Sequence, residues 1–199
     1  MAPITLSRCH VATGLAAGLA SGVVRPWGAA RAQGVGAGLW SEGPALPMRL
    51  QEIYPAELDG QVFVVGGLSP DTGPDTGVGG IAPSDRVFGW RPDGLAWEEH
   101  AALPIASHHA NCLGIEGRLL AIGGFMPSPA GAWTITPMVM VYEPVARVWD
   151  LGPELPQPQA EAVSGILGGR VHLAAGRGNG GGANGDYGDH HDIDTHLVL

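Results

Sequence analysis

"LDGQVFVVGG" (residues 58–67) starts on an Asp-Gly pair, runs through an apolar stretch and stops on two glycines. The Asp-Gly pair reads as a tight turn that feeds the strand. The unbroken "VFVV" predicts a strand covered on both faces rather than on one. Nearly the same phrase returns as "IEGRLLAIGG" (115–124) and again as "LGGRVHLAAG" (167–176), where Ala175 replaces the first glycine.

Four markers keep this register. Trp40, Trp97 and Trp149, then Pro47, Pro104 and Pro156, then Gly60, Gly117 and Gly169, then Gly67, Gly124 and Gly176 each step by 57 residues and then 52. A recurrence of this order means stacked structural repeats. Within one period the pattern predicts four strands, over 49–58, 61–67, 85–92 and 96–104, and four short strands per repeat make one propeller blade. Composition agrees: the 33 glycines and 17 prolines among 199 residues disfavour long helices and favour short strands joined by turns.

The Gly-Gly pair after an apolar strand, the aromatic residue near a proline in "GWRP" (89–92) and "VYEP" (141–144), and the tryptophan about six residues further on resemble the kelch repeat. The resemblance spans roughly 38–199 and implies an all-β fold of kelch-type β-propeller blades, about three of them, as repeats near 49–104, 106–156 and 158–199. Propellers close with about four to eight blades. Two readings therefore stand: the chain is part of a larger propeller, or it forms a homodimer that completes a six-bladed ring, each copy lending "LWSEGPALP" (39–47) to the other's last blade.

Residues 1–32 read as a signal peptide. Arg8 and His10 precede the apolar run "VATGLAAGLASGVV" (11–24), and "ARA" (30–32) is a small-x-small cleavage site. The run is too short to span a bilayer, so the expectation is a periplasmic or extracellular protein with no membrane span, exported by a Sec-like or degenerate Tat route. Cleavage would leave Cys112 as the only cysteine, and an internal disulfide needs two. Cys112, on a predicted inner strand, reads as a small buried hydrophobe rather than a nucleophile. All ten basic residues are arginines and the formal charge is −9, so no basic footprint exists for nucleic acid.

Candidate functional residues come from the repeat alignment. Just after each "LP", Gln51-Glu52, His108-His109 and Ala160-Glu161 superpose, which places Glu52, His109 and Glu161 at one height around a propeller axis as part of a polar ring. With His108 they are the expected ligand-binding residues. The densest polar stretch, "GDYGDHHDIDTH" (185–196), mixes imidazole with carboxylate, a combination suited to a divalent metal; Asp189, His190, His191, Asp192 and His196 are the candidate ligands. "GRGNGG" (176–181) fits a phosphate-loop pattern, but the next residues, "GANGDYGDHHD" (182–192), cannot open a helix, so it reads as a flexible loop. "SPDTGPDTGVGGIAPSD" (69–85) reads as a surface loop.

Two functions are expected from these residues. The first is an exported kelch-repeat module that binds a protein or carbohydrate ligand through its loops and channel. The alternative is a periplasmic sugar-modifying or metal-dependent enzyme in which His108, His109 and the 186–196 cluster converge.

Overall fold

The computed structural model describes residues 40–72, 80–129 and 131–199. The expected signal peptide and most of the tandem PDTG sequence lie outside the described residues. The chain divides into a short unit, Met1–Ser41, and a large one, Glu42–Leu199, which carries everything below.

Three larger antiparallel sheets succeed one another along the described residues, one per repeat, each accompanied by a two-stranded one. The first orders Ala56–Leu58, Gln61–Val65, Val87–Trp90 and Glu98–Glu99 from one edge to the other; the second does the same with Asn111–Ile115, Arg118–Ile122, Val139–Glu143 and Val148–Leu151. The third pairs Val163–Leu167, Arg170–Ala174 and His196–Val198. Fold class and blade architecture thus match the repeat reading. The hairpins do as well: Asp59 and Gly60, Glu116 and Gly117, and Gly168 and Gly169 all have φ between 51° and 75°, the backbone of a type I′ turn.

Alternation along a strand explains the apolar runs. In Arg118–Ile122, Leu119 and Ala121 face the first sheet and join Phe63, Val65, Val87 and Tyr142 in one core. Leu120 and Ile122 point the other way and pack with Val139, Val171 and Leu173 in a second core. A strand sandwiched between two neighbours must be apolar on both faces, because successive side chains point to opposite sides. Burial in the first core pushes the Cys112 thiol up to about 12, so it behaves as the inert hydrophobe expected of it.

The sheets are also tied by backbone. Gly67 N–H donates to Ser107 O at 2.8 Å and Gly124 N–H to Gln159 O at 2.9 Å, each bond running from one repeat to the next. Tryptophans add a second tie: Trp97 Nε1 donates to Pro44 O and Trp149 Nε1 to Ala101 O, both at 2.9 Å and 53 and 48 residues back in the chain. Trp97 and Trp149, 52 residues apart, therefore repeat the same kind of bond to an earlier stretch of the chain.

Four local expectations change. The inner strand expected over 49–58 is only Ala56–Leu58, because Glu52 has φ 58°, which leaves the β region, and Pro55 has no N–H to give a ladder. The fourth strand expected over 96–104 shortens to Glu98–Glu99. The 69–85 loop is zipped at its base, where Leu68–Ser69 pairs with Ala82–Pro83. "GRGNGG" is not wholly a free loop either, since Arg177–Gly178 pairs with His191–Asp192. The second repeat carries a longer hairpin at the same place, Phe125–Ser128 with Gly131–Ile135, which the repeat reading did not register.

Candidate functional site

The three positions that superpose in sequence repeat in structure. Gln51, His108 and Ala160 each make an isolated bridge, to Leu68, Phe125 and Arg177 respectively. The next residues, Glu52, His109 and Glu161, have φ of 58°, 54° and 55°. Left-handed backbone costs a residue with a β-carbon about 1 kcal/mol or more. The conformation turns the chain from the bridge into the inner strand of each blade.

Their side chains meet. His109 Nε2 contacts the Glu52 carboxylate and lies 3.6 Å from Glu161 Oε1, so three repeats contribute to one point. A backbone bond from His109 N–H to Glu52 O, 3.0 Å, fixes the first two together. The His109 side chain is 8% exposed, while Glu52 and Glu161 keep 42% and 26% of theirs open to solvent.

His108 points away from this convergence and supports it from behind. Its Nε2 lies 2.9 Å from Ala132 O, and its Nδ1 lies 2.8 Å from His109 Nδ1. A carbonyl only accepts, so His108 carries its proton on Nε2 and accepts at Nδ1 from the N–H of His109. His109 Nδ1 thus being a donor, its contact with Glu52 through Nε2 needs one further proton, shared between imidazole and carboxylate. Burial drives His108 in the direction this chain of bonds requires, lowering its pKa to about 4 despite the bond to Ala132, with His109 adding to the depression.

Aromatic rings wall the site. Trp133, on the second repeat's hairpin, packs edge-on to His108 at 4.8 Å and to Phe125 at 5.3 Å, and lies 5.2 Å from the ring of Tyr187. Tyr54 lies 6.3 Å from His109, and its hydroxyl is made less acidic by burial and then by the charges of Glu161 and Glu52. Sequence reasoning passed over Tyr54, Trp133 and Tyr187 as site residues. The β-branched alternation of "GAWTIT" (131–136) was the available signal for the hairpin that carries Trp133.

The five candidate metal ligands do not come together. Asp189 Oδ2 accepts the backbone N–H groups of Gly185 and Asp186, which close a short 3₁₀ turn and lower its pKa. His190 is buried, with Nε2 3.1 Å from Asn184 Oδ1. Burial, then the nearby Arg177, lowers its pKa, against the opposing pull of Asp189, Glu161 and Asp186. His191 and Asp192 lie exposed on a two-residue strand, and His196 stacks on His172 with Nε2 3.0 Å from His172 Nδ1. Among the described residues no three His, Cys, Asp or Glu side chains are grouped to hold a metal ion.

The stretch serves instead to dock the third repeat's loop onto the second. The Asn184 amide pairs with both the N–H and the C=O of Ile135, at 2.9 and 3.0 Å. Arg177 lies 3.9 Å above the Tyr187 ring and donates to the carbonyls of Tyr187 and His190.

No family model matches the chain. Among curated proteins it is similar to Kelch-like protein 33 of Homo sapiens, 30% identical over 76% of this chain and 28% of that protein. It is also similar to the F-box/kelch-repeat protein SKIP30 of Arabidopsis thaliana, 28% identical over 67% of this chain and 38% of that protein. A third relative is Kelch-like protein terF of Aspergillus terreus, 27% identical over 60% of this chain and 26% of that protein. The chain thus spans between a quarter and two fifths of the length of these relatives. The solved structure of YjhT covers 68% of the chain with a TM-score of 0.55 at 18% identity, a likeness of fold, and 37% of that structure is matched.

Proposed function

The chain belongs to the kelch-repeat family, and from that premise we propose that it is an exported module that binds a protein or carbohydrate ligand at the rim where its three repeats meet. The observation that carries this reading is the convergence of Glu52, His109 and Glu161, one side chain from each repeat, on a point that stays open to solvent. Packing does not require charged groups there, and left-handed backbone at all three adds a cost that a purely structural rim would avoid by using glycine. Aromatic side chains beside acceptor groups are the usual make-up of a recognition surface. Three named curated relatives are kelch proteins, which supports recognition over catalysis as the general role.

Export rests on the 1–32 signal, and N-terminal sequencing of the secreted or periplasmic form tests it: a new terminus near residue 33 is expected, and an intact Met1 would overturn it. Pairing of two copies into a six-bladed ring is supported by the exposure of Val163 and Leu167 on the third sheet, at 74% and 71%. Light scattering on the intact chain reads it as twice the chain mass. The binding role itself is tested by screening the purified chain against peptide and glycan arrays, with the Glu52→Gln/Glu161→Gln double variant as control. A hit that the variant loses, while its melting temperature is kept, supports the rim; hits that the variant retains place binding elsewhere.

A further inference from the structure

We infer that the rim selects a basic side chain, a guanidinium or ammonium group presented by a protein ligand, rather than a neutral or acidic sugar. This rests on the rim being the ligand site, and the hydrogen-bond donors and acceptors there carry it.

The hydrogen-bond chain uses up every imidazole N–H. His108 Nε2 donates to Ala132 O, His109 Nδ1 donates to His108 Nδ1, and the remaining His109 position is turned to Glu52. What the three converging residues offer to an incoming group is therefore carboxylate oxygen: the rest of Glu52 and the whole of Glu161, which approaches His109 only to 3.6 Å. With one shared proton against two carboxylates, the trio holds net negative charge. A site made of acceptors with negative charge binds multiple N–H donors carrying positive charge, and it repels acidic groups.

Among the described residues nothing already plays that part. Lysine is absent from the chain, and Arg177 of the third repeat is held by the carbonyls of Tyr187 and His190 and by the Tyr187 ring. The rings of Tyr54 and Trp133 each lie 6.3 Å from that of His109. Carboxylates with aromatic rings in the same neighbourhood suit a planar guanidinium, which can bond bidentately and also pack on a ring. His190, 6% exposed, packs 5.3 Å from Phe125, whose ring lies 5.5 Å from that of His109, and its Nδ1 is buried without a hydrogen-bond partner among the described residues. The formal charge of −9 would steer a basic partner in.

The test is nuclear magnetic resonance titration of the intact chain, monitoring the His109 and Tyr54 side chains. Probes are a short arginine-containing peptide, the same peptide with citrulline in place of arginine, galactose, and N-acetylneuraminic acid. The arginine peptide should shift both side chains saturably, the citrulline peptide should bind about tenfold more weakly or worse, and added salt should weaken the arginine complex. Glu161→Gln, at the longer of the two contacts, should cost about tenfold in affinity with folding kept, and its amide spectrum verifies the fold. Saturable shifts with either sugar but not with the arginine peptide would overturn the cationic assignment while leaving the rim a ligand site. Shifts with no probe, and arrays whose hits ignore Glu52 and Glu161, would overturn the rim itself.

Discussion

Gly66 and Gly123 occupy the first place of the Gly-Gly pair in two repeats, and Ala175 occupies it in the third; all three have nearly one backbone, with φ of 64°, 62° and 57°. They also make the same bond, from their N–H to the carbonyls of Arg86, Met138 and Thr195, at 2.9, 2.9 and 2.8 Å. The difference lies in what a β-carbon would meet. At Gly66 and Gly123 it would drive into the carbonyl oxygens of Ser107 and Gln159 in the next repeat, whereas Ala175 is exposed. The first glycine is thus demanded by the neighbour and not by the turn. The second behaves otherwise: at Gly67, Gly124 and Gly176 a β-carbon would meet the chain that leads into the same repeat's inner strand, and glycine is kept three times out of three.

The sharpest attack on this contrast is Gly123→Ala. A methyl forced against the Gln159 carbonyl on left-handed backbone should cost about 3 kcal/mol or more, read as a lower midpoint in denaturant unfolding. A loss under about 1 kcal/mol, the size expected from the turn alone, would break the comparison.

A second probe addresses the segment just after those glycines' partners, where His108 is buried. Its pKa is depressed to about 4 in the folded chain from an ordinary value of 6.5, so the unfolded state binds more protons between those limits. Stability is then whole above pH 6.5 and falls as pH drops toward 4, by up to about 3 kcal/mol. Melting curves across that window should show the slope in the native chain and a flatter one in His108→Phe.

Smaller effects refine the seam. Trp149→Phe keeps a ring beside Tyr142, 4.9 Å away, but loses the bond to Ala101 O, and should cost about 1 kcal/mol in the same unfolding measurement. Ala175→Gly should be nearly silent, within about 0.5 kcal/mol, since relief of left-handed strain is offset by the greater freedom glycine gives the unfolded chain. A gain of several kcal/mol there would show that the Ala175 methyl is crowded after all.

The tight turns, the both-face burial of the central strands and the equivalence of Glu52, His109 and Glu161 were all legible in the sequence, because each is local or periodic: a dipeptide, an unbroken apolar run, an offset. The charged run at 185–196 shows the opposite case. Its residue types suit a metal, yet Asp189 caps a turn, His190 turns to Asn184 and His196 stacks on His172, partners set by contacts that composition does not encode. Trp133 joined the site by the same kind of contact, through a hairpin that is longer in the second repeat than in the other two.

Sequence alone therefore determined the blades and their register, since spacing along the chain dictates which residues stand at equivalent heights. Only the tertiary structure decided that His109 reaches both glutamates, that His108 turns its back on them, and that Ala175 can stand where glycine otherwise must. Side-chain direction and the approach of a neighbouring backbone depend on packing between repeats, and no offset within one repeat carries that information.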